Sequence, residues 1–328
     1  MKAIIPAAGI GTRLRPHTFS QPKALLNVAG KPIIGHILDS VIAIGIVDII
    51  IIVGYKSEAI KNYVAKNYSV NVTFVFQEHR EGLGHSLWVA KDYINPNDQL
   101  LVILGDTIIK APLDTMVGSS NHMIAIQEVA DPRRFGIVEL ESSTKKVNRF
   151  VEKPQNPTSN SAIVGLYYFS SAKVLMETLD TNIQNNERTL GEFQLTDALQ
   201  KMLEKGEIFS AIEVSKWFDC GKPETLLATN AYLLETIEQT TVQLDHTIVI
   251  PPVYISPTAT IRRSVIGPHV TISDNVIIED SILKNSIVNS NAAVSSSLLE
   301  NSIIGEYVAL TGTFTSVNVG DSSIILTK

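Results

Sequence analysis

From residue 255 to residue 310 an isoleucine, leucine or valine returns every five or six positions: Ile255, Ile261, Ile266, Ile272, Ile278, Leu283, Val288, Val294, Leu299, Ile304 and Leu310. Every third member of this series lies 16 or 17 residues beyond the last, so three short strands make one turn. Serine, asparagine, glycine, aspartate and proline fill the gaps, and helical spacing is lost after about residue 245. A repeat of this kind cannot bury its apolar face alone and must stack coil upon coil, which is the pattern of a hexapeptide-repeat left-handed β-helix over 245–328. An irregular β-sandwich is the competing reading.

Residues 1–240 have a different grammar. Ile49 to Val53, Val72 to Phe76, Leu100 to Leu104 and Met123 to Glu128 are short β-branched runs that read as strands. Ile33 to Ile44, Glu58 to Asn67 and Ser86 to Tyr93 carry helical spacing between them. Continuously apolar strands alternating with helices imply a sheet covered on both faces, a Rossmann-like α/β domain whose ligands sit outside the carboxyl ends of the strands. A length of 328 residues accommodates both domains.

The first apolar strand, Lys2 to Pro6, runs into Ala7-Ala8-Gly9-Ile10-Gly11-Thr12-Arg13-Leu14-Arg15-Pro16. Two glycines two residues apart let backbone N–H groups approach an anion, and a following helix start would add partial positive charge. Arg13, Arg15 and Lys23 supply mobile cations. A packing turn explains a bare Gly-x-Gly equally well. The dinucleotide fingerprint needs glycine where Leu14 stands, and the P-loop needs Gly-Lys-Ser/Thr where Gly11-Thr12-Arg13 stands, so neither applies.

Asp106 follows Leu101 to Gly105 and would project from a strand end, a position suited to Mg²⁺, which takes one or two carboxylates plus substrate phosphates. Asp219, within Trp217-Phe218-Asp219-Cys220-Gly221, is its best partner, although either aspartate could instead cap a turn. Glu152-Lys153-Pro154 offers a carboxylate for a hydroxyl and an ammonium for a phosphate, or a solvated turn. Gln77 with Gly82-Leu83-Gly84-His85 reads as a base-reading loop, or as loop glycines without a ligand.

Composition narrows the class. Hydrophobic residues make up 45% and charged residues 18%, the balance of a soluble globular chain. A net charge of −6 excludes a general nucleic-acid binder, and the longest apolar run, near residues 41–53, is broken by Gly45 and Asp48 and is too short to span a bilayer. The single cysteine, Cys220, excludes an intrachain disulfide and fits a reducing cytoplasm. The N-terminus reads as a buried strand and not as a signal peptide.

Taken in order, these pieces resemble the sugar-1-phosphate nucleotidyltransferases, notably the glucose-1-phosphate thymidylyltransferases and their UTP-using relatives, over essentially the whole chain. Ala8 to Leu14 with Lys23 matches the family's signature loop, and Leu104-Gly105-Asp106 and Trp217 to Gly221 match its metal-binding aspartates. Phe135 to Val138, Glu152-Lys153-Pro154 and Gly165-Leu166-Tyr167 match its sugar-side segments, and Glu192 to Asp197 its acidic helix start.

The resemblance implies a nucleotide-diphospho-sugar transferase fold with a mixed sheet. It implies Arg13, Lys23 and Lys153 as the catalytic cations, and Ala8, Gly9, Gly11, Thr12, Gln77 and Gly82 at the nucleotide. Gly136, Glu152 and Gly165 fall at the sugar, and Asp106 and Asp219 at Mg²⁺. A sugar-1-phosphate oxygen would attack the α-phosphorus of a nucleoside triphosphate, with pyrophosphate leaving and no protein nucleophile; Cys220 reads as a core residue.

Gly82-Leu83-Gly84-His85 departs from the Gly-Leu-Ala-Gln of short thymidylyltransferases and looks more like the UTP-using enzymes, so dTTP and UTP both stand as donors. Two alternatives remain: a bifunctional N-acetylglucosamine-1-phosphate uridylyltransferase with acetyltransfer in the β-helix, where His246 and His269 are the available histidines, and a non-catalytic nucleotide-sugar-binding paralogue. The expected partners are the two small substrates and further copies of the chain, with no nucleic acid and no membrane.

Overall fold

The computed structural model describes residues 1–141, 144–237 and 244–312. The chain divides into two units. The first comprises Met1–Asn27 and Lys31–Thr229, and the second comprises Val28–Gly30 and the chain from Asn230 onward. This division falls inside the sequence-based domain 1–240. The expected linker near residue 240 and the final residues of the expected 245–328 domain include 238–243 and 313–328, which lie outside the described residues.

The first unit is built on a nine-stranded mixed sheet. Its strands are β1 (Lys2–Pro6), β2 (Asp48–Val53), β3 (Asn71–Phe76), β4 (Leu100–Ile103), β5 (His122–Glu128), β6 (Gly136–Leu140), β7 (Val147–Glu152), β8 (Ser161–Phe169) and β9 (Phe209–Glu213). The path runs β7-β6-β8-β4-β1-β2-β3, with β5 pairing β8 and β9. β1 is parallel to β2 and β4, and β2 to β3, while β8 runs antiparallel to β4, β5 and β6.

Ile4, Ile5, Ile49, Ile51, Leu101 and Val102 are fully buried, as continuous apolar strands covered on both faces must be. Helices Ile33–Ala43, Ser57–Asn67, Lys173–Gln184 and Leu195–Glu204 belong to this unit. Leu175, Leu179, Leu195, Ala198, Leu199 and Met202 from the last two join the strand residues in one core, where each large aliphatic side chain contributes about 1.5–3 kcal/mol. The first helix stops because Gly45, at φ +82°, takes the left-handed conformation that closes a helix end.

Two local expectations are corrected. The helix expected over Ser86 to Tyr93 is instead Leu83–Trp88 followed by a separate 3₁₀ turn, Lys91–Tyr93. Gly82, at φ +110°, lets the chain enter the helix earlier, and Trp88 Nε1 and Lys91 Nζ both donate to Asp180 where it ends. The glycine loop opens no α-helix: it passes through three 3₁₀ turns, Thr12–Leu14, His17–Phe19 and Lys23–Leu25. Pro16 and Pro22 stand where a growing helix would need N–H donors, so no aligned helix dipole faces the loop.

Among the described residues of the second unit, twelve short strands stack as three parallel ladders of four. One is Ile248–Val249, Val265–Ile266, Ile282–Lys284 and Leu298–Glu300; another is Val253–Ile255, Val270–Ile272, Ile287–Val288 and Ile303–Ile304. The third is Thr260–Arg262, Ile277–Glu279, Ala293–Ser295 and Ala309–Thr311. Paired residues reproduce the sequence period: Ile261 faces Ile278, which faces Val294, which faces Leu310. Parallel stacking on three faces is the architecture of the left-handed β-helix and removes the sandwich alternative.

Every member of the apolar series lies in or against one interior cluster with Val253, Val270, Val276 and Ala292. Corners turn on residues with positive φ at matching places in successive coils: Arg263, Asp280 and Ser296; His269, Asn285 and Asn301; Asn275, Asn291 and Tyr307. Side chains bond up the stack there, Asn275 to Asn291 at 3.2 Å and Asn285 to Asn301 at 2.6 Å.

Candidate active site

β1 and β4 are parallel neighbours, so the loops beginning at Ala7 and Leu104 leave the same edge of the sheet. Gly105 makes the junction possible: its N–H donates to the Pro6 carbonyl at 2.9 Å, and a Cβ there would lie 2.8 Å from that oxygen. Asp106 is thereby carried to the strand ends. Asp219 arrives by a two-stranded antiparallel ribbon, Thr107–Lys110 with Lys216–Asp219, in which Asp219 faces Thr107. The Cys220 N–H donates to the Asp106 carbonyl at 3.1 Å, and Trp217 Nε1 donates to Thr107 Oγ1 at 2.8 Å.

Lys23 lies between the two carboxylates. Its Nζ is 2.6 Å from Asp106 Oδ2 and 4.0 Å from Asp219 Oδ1, and its side chain is only 8% exposed. The two aspartates are partly exposed, so their carboxylates stay accessible beside a lysine that is mostly covered. Gly11, at φ +71°, closes the loop over this lysine: a Cβ would meet Lys23 Cβ at 3.0 Å and Thr18 Cγ2 at 3.1 Å. Tyr55 Oη and Lys56 Nζ fasten the far side of the loop by donating to the carbonyls of Phe19 and Ser20.

Two adjoining pockets meet at Leu83, Leu104 and Asp106. The first, of about 270 Å³, has Ala8, Gly9, Lys23, Gln77 and Gly82 in its wall. The second, of about 210 Å³, has Gly136, Glu152, Lys153, Gly165 and Asp219. Open space lies above Gly9, where a Cβ would meet nothing within 4 Å.

In the second pocket Glu152 accepts from Thr196 Oγ1 at 2.7 Å and pairs with Lys153 Nζ at 3.1 Å. Lys153 is held at φ +40°, a conformation a non-glycine residue adopts at a cost. Gly165, at φ +85°, spares a clash with Leu104, whose Cδ1 would lie 2.5 Å from a Cβ.

Gly11, Thr12 and Arg13 stand outside both linings, and Thr12 and Arg13 are exposed. Arg13 approaches the aspartate side at Gly221, where a Cβ would fall 3.0 Å from Arg13 Nη2 and 2.7 Å from Asp219 Oδ1. Sequence reasoning missed Arg80, Ser86, Arg134 and the pocket-facing role of Trp217. No motif marks Arg80, Ser86 or Arg134; only the strand-to-loop geometry brings them in.

Burial and neighbours tune several groups. The Gln77 amide donates to His85 Nδ1 at 3.0 Å, and burial holds the His85 imidazole below its ordinary value. Burial raises the Asp197 carboxyl at the start of helix Leu195–Glu204. Burial pushes the Cys220 thiol up to about 12, so it is no nucleophile at neutral pH. The two aspartates present hard oxygen donors around one cation, a set that fits Mg²⁺. Among the described residues no three carboxylates, histidines or cysteines gather as a self-sufficient metal cage, and no helix is long and apolar enough to cross a membrane.

The model of the nucleotidyl transferase family matches residues 2–236. The low-salt glycan biosynthesis nucleotidyltransferase Agl11 of Haloferax volcanii is 35% identical over 72% of this chain, and the chain spans 66% of that relative, just under two thirds of its length. A glucose-1-phosphate thymidylyltransferase of Streptomyces antibioticus is 31% identical over 88% of this chain and 87% of its own. Among solved structures, a putative glucose-1-phosphate thymidylyltransferase from Bacillus anthracis in complex with a sucrose superposes with a TM-score of 0.63. It is 29% identical and covers 74% of this chain and 98% of its own.

Proposed function

The chain belongs to the nucleotidyl transferase family, and from that membership and the paired pockets we propose that it transfers a nucleotidyl group from dTTP or UTP to a sugar-1-phosphate, glucose-1-phosphate foremost. The products are the nucleoside-diphosphate sugar and pyrophosphate. One observation carries the reading: two pockets, one walled by the glycine loop and Gln77 and the other by Glu152, Lys153 and Gly165, converge on Asp106. A donor in the first and an acceptor in the second would meet beside Lys23.

The phosphate oxygen of the acceptor is already anionic at neutral pH, so it needs alignment with the α-phosphorus and no general base. Glu152, fixed by Thr196, accepts a sugar hydroxyl, and Lys153 holds the sugar phosphate. Ala8 and Gly9 bring backbone donors to the triphosphate, and Arg13 and Lys23 neutralise the departing pyrophosphate. Gln77 and Gly82 meet the base, Gly136 leaves space for the sugar, and Gly11 and Thr12 shape the loop. Asp106 and Asp219 would hold Mg²⁺, which when bound supplies further neutralisation of phosphate charge. The second unit then serves stability and self-association, and the enzyme works in the cytoplasm as a homo-oligomer.

The test is pyrophosphate release over a grid of five nucleoside triphosphates against glucose-, galactose-, mannose- and N-acetylglucosamine-1-phosphate. Turnover with dTTP or UTP is expected, falling by about 10²–10³-fold or more in Asp106→Ala and Asp219→Ala. Near-normal release in both variants would remove the two-aspartate site, and activity only with ATP or GTP would remove the pyrimidine assignment. Acetylation of glucosamine-1-phosphate by acetyl-CoA would give the β-helix a chemistry of its own.

A further inference from the structure

Gln77 is 5% exposed, lines the first pocket, and has its amide nitrogen committed twice: to His85 Nδ1 at 3.0 Å and, more loosely, to the Gly82 carbonyl at 3.5 Å. A peptide carbonyl can only accept, so the NH₂ end of the amide, and not its oxygen, belongs on that side. His85 Nδ1 must then be the acceptor, which leaves the imidazole proton on Nε2. That nitrogen faces the Glu81 carboxylate at 3.6 Å.

Glu81 is held in turn by Arg188 Nη2 at 2.8 Å, and the Arg188 guanidinium lies over the Phe193 ring at 3.9 Å. Trp88 and Phe193 both stack with the imidazole, which restricts the ring's rotation. Each member of the series Arg188, Glu81, His85, Gln77 therefore has one consistent donor or acceptor role, and the end of the Gln77 amide left over is Oε1, an acceptor.

We propose that His85 fixes the polarity of the Gln77 amide and thereby makes the site select a pyrimidine whose ring N3 carries a proton over one whose N3 is a lone pair. Uracil and thymine donate N3–H to the Gln77 carbonyl. Cytosine sets its own N3 lone pair against that oxygen, and the amide cannot turn over without breaking its bonds to His85 and Gly82. The device does not separate uracil from thymine, which share this edge and differ by a methyl group. The inference rests on the reading of the first pocket as the seat of the base. His85 acts through Gln77 and is a positioning residue.

The experiment compares kcat/KM for UTP, CTP and ATP in the wild-type chain, His85→Leu and His85→Gln. Leucine removes the acceptor, and the UTP-over-CTP ratio is expected to fall about tenfold or more while the UTP-over-ATP ratio stays within about twofold. Glutamine can accept the same bond through its own carbonyl and should restore the ratio. A His85→Leu enzyme that discriminates UTP from CTP as the wild type does overturns the proposal and leaves the pocket reading intact. A wild-type enzyme that takes only purine nucleotides overturns both. Should His85→Leu fail to fold, long-range ¹H–¹⁵N spectra of the wild-type chain decide the matter: a proton on Nε2 is expected, and a proton on Nδ1 refutes the lock.

Discussion

Left-handed backbone conformations occur in both units, at irregular positions in the first and at regular intervals in the second. Around the pockets they fall on Gly11, Gly82, Lys153 and Gly165, each with its own reason. Gly11 closes over Lys23, Gly82 and Gly165 each spare a collision, and Lys153 is turned toward the pocket it lines. In the β-helix they fall on Arg263, Asp280 and Ser296, and on two further sets of corner residues in which asparagine recurs. The same backbone conformation thus serves local positioning in one unit, mostly through glycine, and is a repeated element of construction in the other.

The comparison predicts a graded set of outcomes. Gly165→Ala should have the largest effect: a Cβ at φ +85° driven against Leu104 costs about 2–4 kcal/mol by strain and overpacking. Both the melting temperature and pyrophosphate release should fall, the latter by about tenfold or more given how steeply turnover depends on alignment. Asn285→Ala should cost about 1–2 kcal/mol of stability, since alanine resists the left-handed region and gives up the bond to Asn301, and should leave kcat/KM unchanged. Asn285→Gly, which tolerates the dihedral, should cost less than alanine by calorimetry.

If Asn285→Ala reduced turnover as Gly165→Ala does, the division between positioning and construction would be broken. The smallest effect belongs to Ser273→Ala. Its Oγ is buried without a hydrogen-bond partner, so its removal should leave the melting temperature unchanged or raise it by an amount worth about 1 kcal/mol or less.

What the sequence discloses follows the same divide. Over residues 255–310 the β-helix period is legible, because one interior rung per strand writes it directly into the chain, and register follows from counting: Ile266 with Leu283, Ile272 with Val288. In the first unit the strand cores are legible, and Asp106 stands out as an acidic residue closing an apolar strand, while a turn cap stays open as the other reading of it and of Asp219. Their pairing is expected from the sequence but the route to it is not, since the ribbon that unites them joins segments far apart in the chain. Arg80 and Arg134 are exposed loop residues with no sequence pattern, and only the placement of their strands brings them to the pockets. The helix expected beyond the glycine loop fails for a reason visible in hindsight in Pro16 and Pro22: proline fixes φ and withholds an N–H, and the chain settles for 3₁₀ turns.

The step from a 17-residue coil to 16-residue coils has a consequence for how such a chain can change length. Val253 pairs with Val270, but Thr271 pairs with Ile287, so one corner absorbs a residue more or less while the ladder stays in step. A single insertion elsewhere in a rung would turn every later side chain from the interior to the outside. Growth or loss is therefore quantised: whole coils can be added or deleted, each lengthening or shortening the stack by one interstrand spacing of about 4.8 Å, which makes the unit a molecular ruler graduated by its own backbone.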